Sequence, residues 1–422
     1  MAVKSGEGLP AASINSEVFC FFFSKKKFFL KQFFFEKKNQ KTFETYTGAR
    51  LIRPQNETEL AEAVRDTTGP LLIQGNGTKA SMLRPVQAAD TLSTSALSGI
   101  TLYSPNELVM SARAGTPLAE IEATLAERGQ QMIAEPSHLF GEDQTLGGLI
   151  ATNLSGPRRI SGGALRDHVL GVRAVNGSGE ILKFGGRVLK NVTGLDLSKL
   201  LTGSFGTLAV LTEITFKVLP ASEAVGTLVV HGQDAISAVA TMSAALGSPF
   251  SVTAAAYLPD EKKTLLRIEE FATSVAYRTE KLSAQLGGSE ILGTEASQSL
   301  WRDIRDCTFL PPAEALWRIS APPSAAPAIL HAGQALGLTG MLDWGGGLIW
   351  LSGPASTHTH DALCHAATQA GAVWWLMRGP EPFRAAVAVV PPEPPALAAL
   401  RQRIQQSFDP RGILNPLKLL AA

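Results

Sequence analysis

One stretch limits what this chain can fold into more than any other. Gln144-Thr145-Leu146-Gly147-Gly148-Leu149-Ile150-Ala151-Thr152-Asn153-Leu154-Ser155-Gly156-Pro157 joins a paired-glycine turn to a run of small and hydroxyl-bearing residues. Side chains this small let a large planar or phosphorylated ligand lie directly on backbone. Arg158-Arg159, Gly162-Gly163 and Arg166-Asp167-His168 follow. The two arginines read as a solvated surface pair or as ligand-facing cations, and His168, just before a strand, reads as structural.

A second glycine turn lies upstream, behind a small βαβ pattern. Leu51-Ile52-Arg53-Pro54 is a strand signal, and Asn56 with Glu59 opens a helix striped by Leu60, Ala63 and Val64. Gly69-Pro70 ends that helix, and Leu71-Leu72-Ile73 forms a second strand, expected to be parallel. Then comes Gln74-Gly75-Asn76-Gly77-Thr78-Lys79-Ala80, whose spacing satisfies the G-x-G-x-x-G/A dinucleotide fingerprint. The context does not fit a Rossmann turn, because Pro85 arrives before a helix can form and no acidic residue follows about 20 positions on. What remains is a strand-to-loop turn whose N–H groups can cradle a pyrophosphate, or an ordinary glycine turn.

Beyond it the pattern predicts strands at Ile100–Tyr103 and Leu108–Ala114 and a helix opened by Thr116-Pro117, with Leu118, Ile121 and Leu125 buried. Asn176-Gly177-Ser178-Gly179 predicts a hairpin between Val172–Val175 and Glu180–Phe184. Val210, Thr212, Ile214, Phe216 and Val218 predict one face of a long strand ended by Pro220. In the second half, helices are expected at Ala235–Leu246, Val275–Leu286, Ala325–Leu336 and Thr357–Ala370. Strands are expected near Ser251–Tyr257, Leu316–Ser320 and Ala372–Met377.

Composition removes several classes of function. At 422 residues, with 45% apolar and 18% charged side chains, the chain is globular and large enough for two or three domains. With 38 basic against 37 acidic residues, a broad nucleic-acid-binding face is not expected. Cys20, Cys307 and Cys364 are too few and too scattered for an iron–sulfur or CxxC-type site. No apolar run is long enough to predict a membrane-spanning helix. The Lys/Phe tract from Phe19 to Lys41 reads as an extension outside the fold rather than a signal peptide or membrane-surface segment. Without residues 1–48 the chain holds 30 basic and 33 acidic residues, a net charge of −3.

Together these segments resemble the FAD-binding domain of the vanillyl-alcohol oxidase, or PCMH, type. The likeness is ordered: Pro54…Glu59-Leu60, the Gly75–Thr78 turn, Ala114-Gly115-Thr116-Pro117-Leu118, Gly147-Gly148…Asn153…Gly156, Lys190-Asn191…Gly194…Asp196-Leu197, and Gly203-Ser204-Phe205-Gly206-Thr207-Leu208. At the far end Phe408-Asp409-Pro410-Arg411-Gly412-Ile413-Leu414-Asn415-Pro416 resembles the superfamily's closing motif. Ser155-Gly156-Pro157-Arg158-Arg159, Arg166-Asp167-His168-Val169-Leu170-Gly171 and Lys190–Leu197 are most similar to the E-subunit family of bacterial glycolate oxidases.

The resemblance implies an α+β fold: a PCMH-type domain of two α+β subdomains with a small α/β cap. The implied layout is an extension over 1–48, the FAD-binding domain over 49–224, a reduced cap over 225–390, and a C-terminal helix with an FAD-closing segment over 391–422. FAD is the implied cofactor. Gly75, Asn76, Gly77, Thr78 and Lys79 would hold its pyrophosphate, and Gly147, Gly148, Thr152, Ser155 and Gly156 would line the flavin and its phosphates. Leu208 and Val210 would offer backbone to the adenine half, and Asn415 would close the isoalloxazine side. No His or Cys stands in the Gly75–Thr78 turn, so the FAD is expected to be noncovalent. The implied partners are a related FAD-containing catalytic subunit and an iron–sulfur subunit, which together turn a small 2-hydroxy acid, glycolate, into glyoxylate. The complex would be cytoplasmic, or peripheral at the inner face of the membrane.

Two departures bear on the role. Hydroxy-acid dehydrogenases of the superfamily carry a His-x-Gly-Asp-Gly-Asn-x-His segment, whereas the counterpart here, Leu342-Asp343-Trp344-Gly345-Gly346-Gly347-Leu348-Ile349-Trp350, lacks both histidines. No metal site is expected, and no side chain is assigned to the chemistry. His358, His360 and His365 read as solvated residues at a helix start. The cap is also short. Both points favour electron transfer or support over primary hydroxy-acid oxidation. The alternatives are a self-sufficient 2-hydroxy-acid dehydrogenase, or an assembly subunit without flavin.

Overall fold

The computed structural model describes residues 50–187, 195–288 and 290–420. The Lys/Phe tract and the Lys190-Asn191…Gly194 segment lie outside them. Residues Leu51–Ala422 form one compact unit.

Three sheets organise it. The first contains β1 (Arg50–Ile52), β2 (Leu71–Gln74) and β3 (Asp90–Ser93) in the order β1-β3-β2. The expected βαβ unit is present, with the helix Glu57–Asp66 capped by the Asn56 side chain. However, β3 lies between the two strands it joins, and β2 pairs with β3 in parallel. No helix opens between β2 and β3, as the position of Pro85 requires.

The second sheet holds β4 (Ile100–Ser104), β5 (Val109–Arg113), β7 (Val169–Asn176), β8 (Ile181–Gly185) and β9 (Ala209–Pro220), in the order β4-β5-β9-β7-β8. A short strand, β6 (Gln130–Met132), pairs with the end of β9. The helix Leu118–Ala126 buries Leu118, Ile121 and Leu125 as expected. β9 is central and buried on both faces, and its register shifts opposite Arg173/Ala174. That bulge rephases the strand: Ile214, Phe216 and Val218 point into one core, whereas Val210 joins the core around Leu60 and Leu71. The expected single face therefore holds only from Ile214 onward.

The third sheet has eight antiparallel strands. They are β10 (Ala224–His231), β11 (Ala254–Leu258), β12 (Lys263–Glu270), β13 (Glu290–Leu292), β14 (Ala315–Ser320), β15 (Thr339–Asp343), β16 (Leu348–Gly353) and β17 (Val373–Arg378). Their order is β13-β10-β12-β11-β15-β16-β14-β17. One face packs on the helices Ala235–Leu246, Ala272–Leu286, Ala326–Ala335 and Thr357–Gln369, all close to their expected bounds. A fifth helix, Thr294–Arg305, escaped the sequence reading although Ser297, Trp301 and Ile304 mark its buried stripe. Nor is His360 solvated. It is 2% exposed and accepts a hydrogen bond from Trp317 Nε1 at 3.0 Å on Nδ1, because the second turn of its helix faces the sheet.

Candidate functional site

The two glycine turns and the C-terminal motif converge. The chain leaves β2 at Gln74 and turns through Gly75–Thr78 against the start of the helix Leu146–Thr152, which Thr145 caps. The approach is so close that a Cβ on Gly75 would stand 2.2 Å from Thr145 Oγ1, so only glycine fits there. From the other end of the chain, Ile413–Asn415 runs beside β2. Leu71 N donates to Ile413 O at 2.8 Å and Asn415 N donates to Leu71 O at 3.0 Å.

Between these segments lies a cleft lined among others by Gly75–Lys79, Gly148, Thr152, Phe205, Asn415 and Lys418. Among the described residues, the amide N–H groups of Asn76, Gly77 and Thr78 donate to no protein acceptor. Lys79 Nζ donates to Gln144 Oε1 at 2.8 Å, and Lys418 Nζ donates to the Met82 carbonyl. Neither ammonium has a carboxylate partner among the described residues. Burial pushes Lys79 down to about 8, and burial with the nearby Arg384 pushes Lys418 down to about 8. Two desolvated cations and a row of free amide donors without an anion match the diphosphate of a dinucleotide cofactor. The donor set therefore fits FAD.

The expected site residues separate into two groups. Gly75, Asn76, Gly77, Thr78, Lys79, Gly148, Thr152 and Asn415 line the cleft. The Thr152 hydroxyl is turned back to the Gly148 and Leu149 carbonyls, and the Asn415 side chain is fully engaged. Asn415 Oδ1 accepts from Ile73 N at 2.8 Å, and Nδ2 donates to Phe205 O at 2.8 Å. Asn415 thus stitches the cleft floor together.

The others lie off the cleft lining. Gly147 packs against Ala114, and Ser155 Oγ accepts from Leu165 N. Gly156 meets Glu135 so closely that a Cβ would stand 2.4 Å from its carbonyl oxygen. Leu208 lies beside the helix Pro395–Phe408, and Val210 is a ladder residue opposite Val175. Sequence reasoning missed Lys418, which stands two residues beyond the closing motif, and also Gln144 and Phe205 near the turn.

Beside the cleft runs a seam between the glycine-rich half and the third sheet. Arg158, one of the two arginines the sequence left open, is partly buried there, its side chain 12% exposed. Its guanidinium binds Glu269 Oε1 at 2.7 Å, and its backbone N–H donates to Glu135 Oε2 at 2.7 Å. Arg267 forks onto both oxygens of Glu135 at 2.8 Å. Although burial favours the neutral acid, Arg267 and Arg158 hold Glu135 down to about 2. Trp344 Nε1 also crosses the seam, donating to Gly156 O at 3.0 Å.

Comparison with known proteins adds the family. Residues 49–185 match the FAD binding domain family. Glycolate oxidase subunit GlcE of Escherichia coli is 38% identical over 367 residues, 86% of this chain and 96% of that protein. The chain belongs to the glycolate oxidase GlcE family. A D-lactate dehydrogenase of Archaeoglobus fulgidus is 32% identical over 40% of this chain and 38% of its own length. Glycolate oxidase subunit GlcD of Bacillus subtilis is 27% identical over 53% of this chain and 47% of its own. Among solved structures, alkyldihydroxyacetonephosphate synthase shares the fold, with a TM-score of 0.63 at 14% identity over 87% of this chain and 75% of that one. The protein is thus an FAD-binding oxidoreductase by family, and the free donors of the cleft suit that cofactor.

Proposed function

We propose that this chain is the noncovalent FAD-binding subunit of a glycolate-oxidising complex, working with a related flavin subunit and an iron–sulfur subunit. The observation that carries the reading is the likeness to GlcE along almost the whole of that protein. When bound, FAD supplies the two-electron redox chemistry that converts glycolate to glyoxylate. The chain's own part is binding and orientation: free amides of Asn76–Thr78 and the Lys79 and Lys418 ammonium groups hold the diphosphate, and Asn415 fixes the floor.

The sequence contains no cysteine cluster to carry electrons onward, which supports a separate iron–sulfur partner. None of the described helices is long and apolar enough to cross a membrane. In the proposed complex the chain would be cytoplasmic or peripheral at the inner membrane face.

The test is a visible spectrum of the purified chain before and after acid precipitation. Flavin absorbance that moves to the supernatant is the expected outcome, and a colourless, folded protein overturns the reading. Glycolate-dependent dye reduction should require the partner subunits; full turnover by this chain alone would overturn its supporting role.

A further inference from the structure

The face of the third sheet that looks toward the FAD-binding half carries cations without counter-charges. Register fixes which residues share it. Arg318 on β14 stands opposite Trp350 on β16 and Trp375 on β17, and Leu316 stands opposite Ser352 and Arg378. In antiparallel pairs opposed residues point the same way, so Arg318, Trp350, Trp375, Ser352 and Arg378 lie on one face. Trp375 locates that face: its ring centroid is 5.5 Å from that of Phe205, which lines the cofactor cleft.

Arg318 and Arg159 both lie against the Trp344 ring, with guanidinium carbons 5.1 and 4.4 Å from its centroid. Among the described residues neither Arg159, Arg318 nor Arg378 forms an ion pair, and the Arg318 and Arg378 side chains make no hydrogen bond. Arg378 Nε and Ser352 Oγ are buried with no partner. A buried guanidinium nitrogen left unmade is costly and marks a missing acceptor. The titratable groups around Arg318 are Arg159, Asp343 and Cys307, whose buried thiol is pushed up and stays neutral. The Asp343 carboxyl is turned to the Trp344 backbone N–H at 2.7 Å, and burial raises it to about 7. At neutral pH the cluster therefore carries excess positive charge.

We propose that Arg318 and Arg378 form a binding site for the carboxylate of a small 2-hydroxy or 2-oxo acid on the inner face of the cap. The planar guanidinium fork matches a carboxylate in two parallel hydrogen bonds, and the tryptophan walls keep water from competing. The site places the acid beside Trp375 and Phe205, next to the cofactor cleft. The choice of acid rests on the reading of this chain as part of a glycolate-oxidising complex; the carboxylate chemistry does not.

The experiment is anaerobic calorimetric titration of the full chain, loaded with FAD, with glycolate. Ethylene glycol, which lacks the carboxylate, and inorganic phosphate serve as comparison ligands. Saturable glycolate binding is expected, weakened at least tenfold in Arg318→Met and less in Arg318→Lys, which keeps the charge and loses the fork. Arg378→Met provides a second route if Arg318→Met fails to fold, and retention of the flavin spectrum verifies each variant. Three results each overturn the site: no glycolate binding by the wild-type chain, binding unchanged in the variants, or phosphate binding as tightly as glycolate. A yellow chain that ignores glycolate overturns this inference and leaves the cofactor reading intact. A colourless chain overturns the cofactor reading, and the titration run on the FAD-free chain then decides the carboxylate site.

Discussion

At the seam, Arg158 and Arg267 each rest on carboxylate oxygens within 2.8 Å, whereas in the cleft Lys79 and Lys418 face only an amide and a carbonyl oxygen. Both regions bury cations, and a cation taken out of water is tolerable only where something compensates its lost hydration. In the seam the compensation is internal, through Glu135 and Glu269, and it fastens the cap to the FAD-binding half. In the cleft it is left open, and the diphosphate of the proposed FAD would supply it. Whether a buried charge is closed within the chain separates a joint from a binding site.

The contrast can be broken by variants of opposite sign. Glu135→Gln keeps the shape of the seam and removes one of the two carboxylates that Arg158 and Arg267 share, leaving Glu269 alone against both guanidiniums. A loss of about 3–5 kcal/mol in urea-unfolding stability is expected for the one charge left uncompensated. A loss near zero would mean that water already reaches the seam. In the cleft, Lys79→Met should act the other way on the unloaded chain, leaving it at least as stable, since an unpaired buried ammonium is removed. FAD affinity should fall roughly 10- to 100-fold, the worth of one hydrogen bond to a charged group. Fluorescence titration of the unloaded protein with FAD measures this. A Lys79→Met chain that unfolds more readily and binds FAD unchanged would place the lysine among the seam-type residues.

These regions were not equally legible in the sequence. The cleft was, because close backbone approach demands glycine, and glycine clusters at Gly75–Gly77 and Gly147–Gly148 are visible without any partner in view. Four helices of the cap could also be read from their apolar stripes, although the helix Thr294–Arg305 was missed. Of the eight strands in the sheet, only β11, β14 and β17 were expected. β12 reads Lys-Thr-Leu-Leu-Arg-Ile-Glu-Glu, and nothing local shows that Arg267 is 2% exposed, because its partner Glu135 lies 132 residues away. The same distance hides Lys418 and the clamp made by Asn415, whose bonds to Ile73 cross 342 residues. Long-range charge pairing leaves no periodic trace, so Arg158 could not be told from a surface arginine. His360 failed for a related reason: its burial is made favourable by partners that spacing along the helix does not show, among them the Trp317 indole on the neighbouring sheet.

The open charges of the cleft also predict how cofactor affinity changes with pH. Lys79 and Lys418 each lie near 8 in the unloaded fold, lowered by burial from 10.5. For a lysine lowered in this way, the unloaded fold becomes more stable as pH rises from about 8 toward 10.5, since the buried cation is given up. A bound diphosphate does the reverse, favouring the ammonium and drawing the value back up. Binding must then take up protons above pH 8, so affinity falls as pH rises through that value. Between pH 7 and pH 9 the loss should be about tenfold for each lysine that titrates this way. Titrations with FAD at the two pH values check it, with buffers of different ionisation enthalpy reporting the protons taken up. Replacing Lys79 by Met should remove its share of the slope and leave that of Lys418. Seam stability should show no such dependence in this window, because Glu135, held near 2, keeps its charge throughout. A pH-independent FAD affinity would mean that the cleft cations are compensated within the chain after all, and the distinction between joint and binding site would lose its basis.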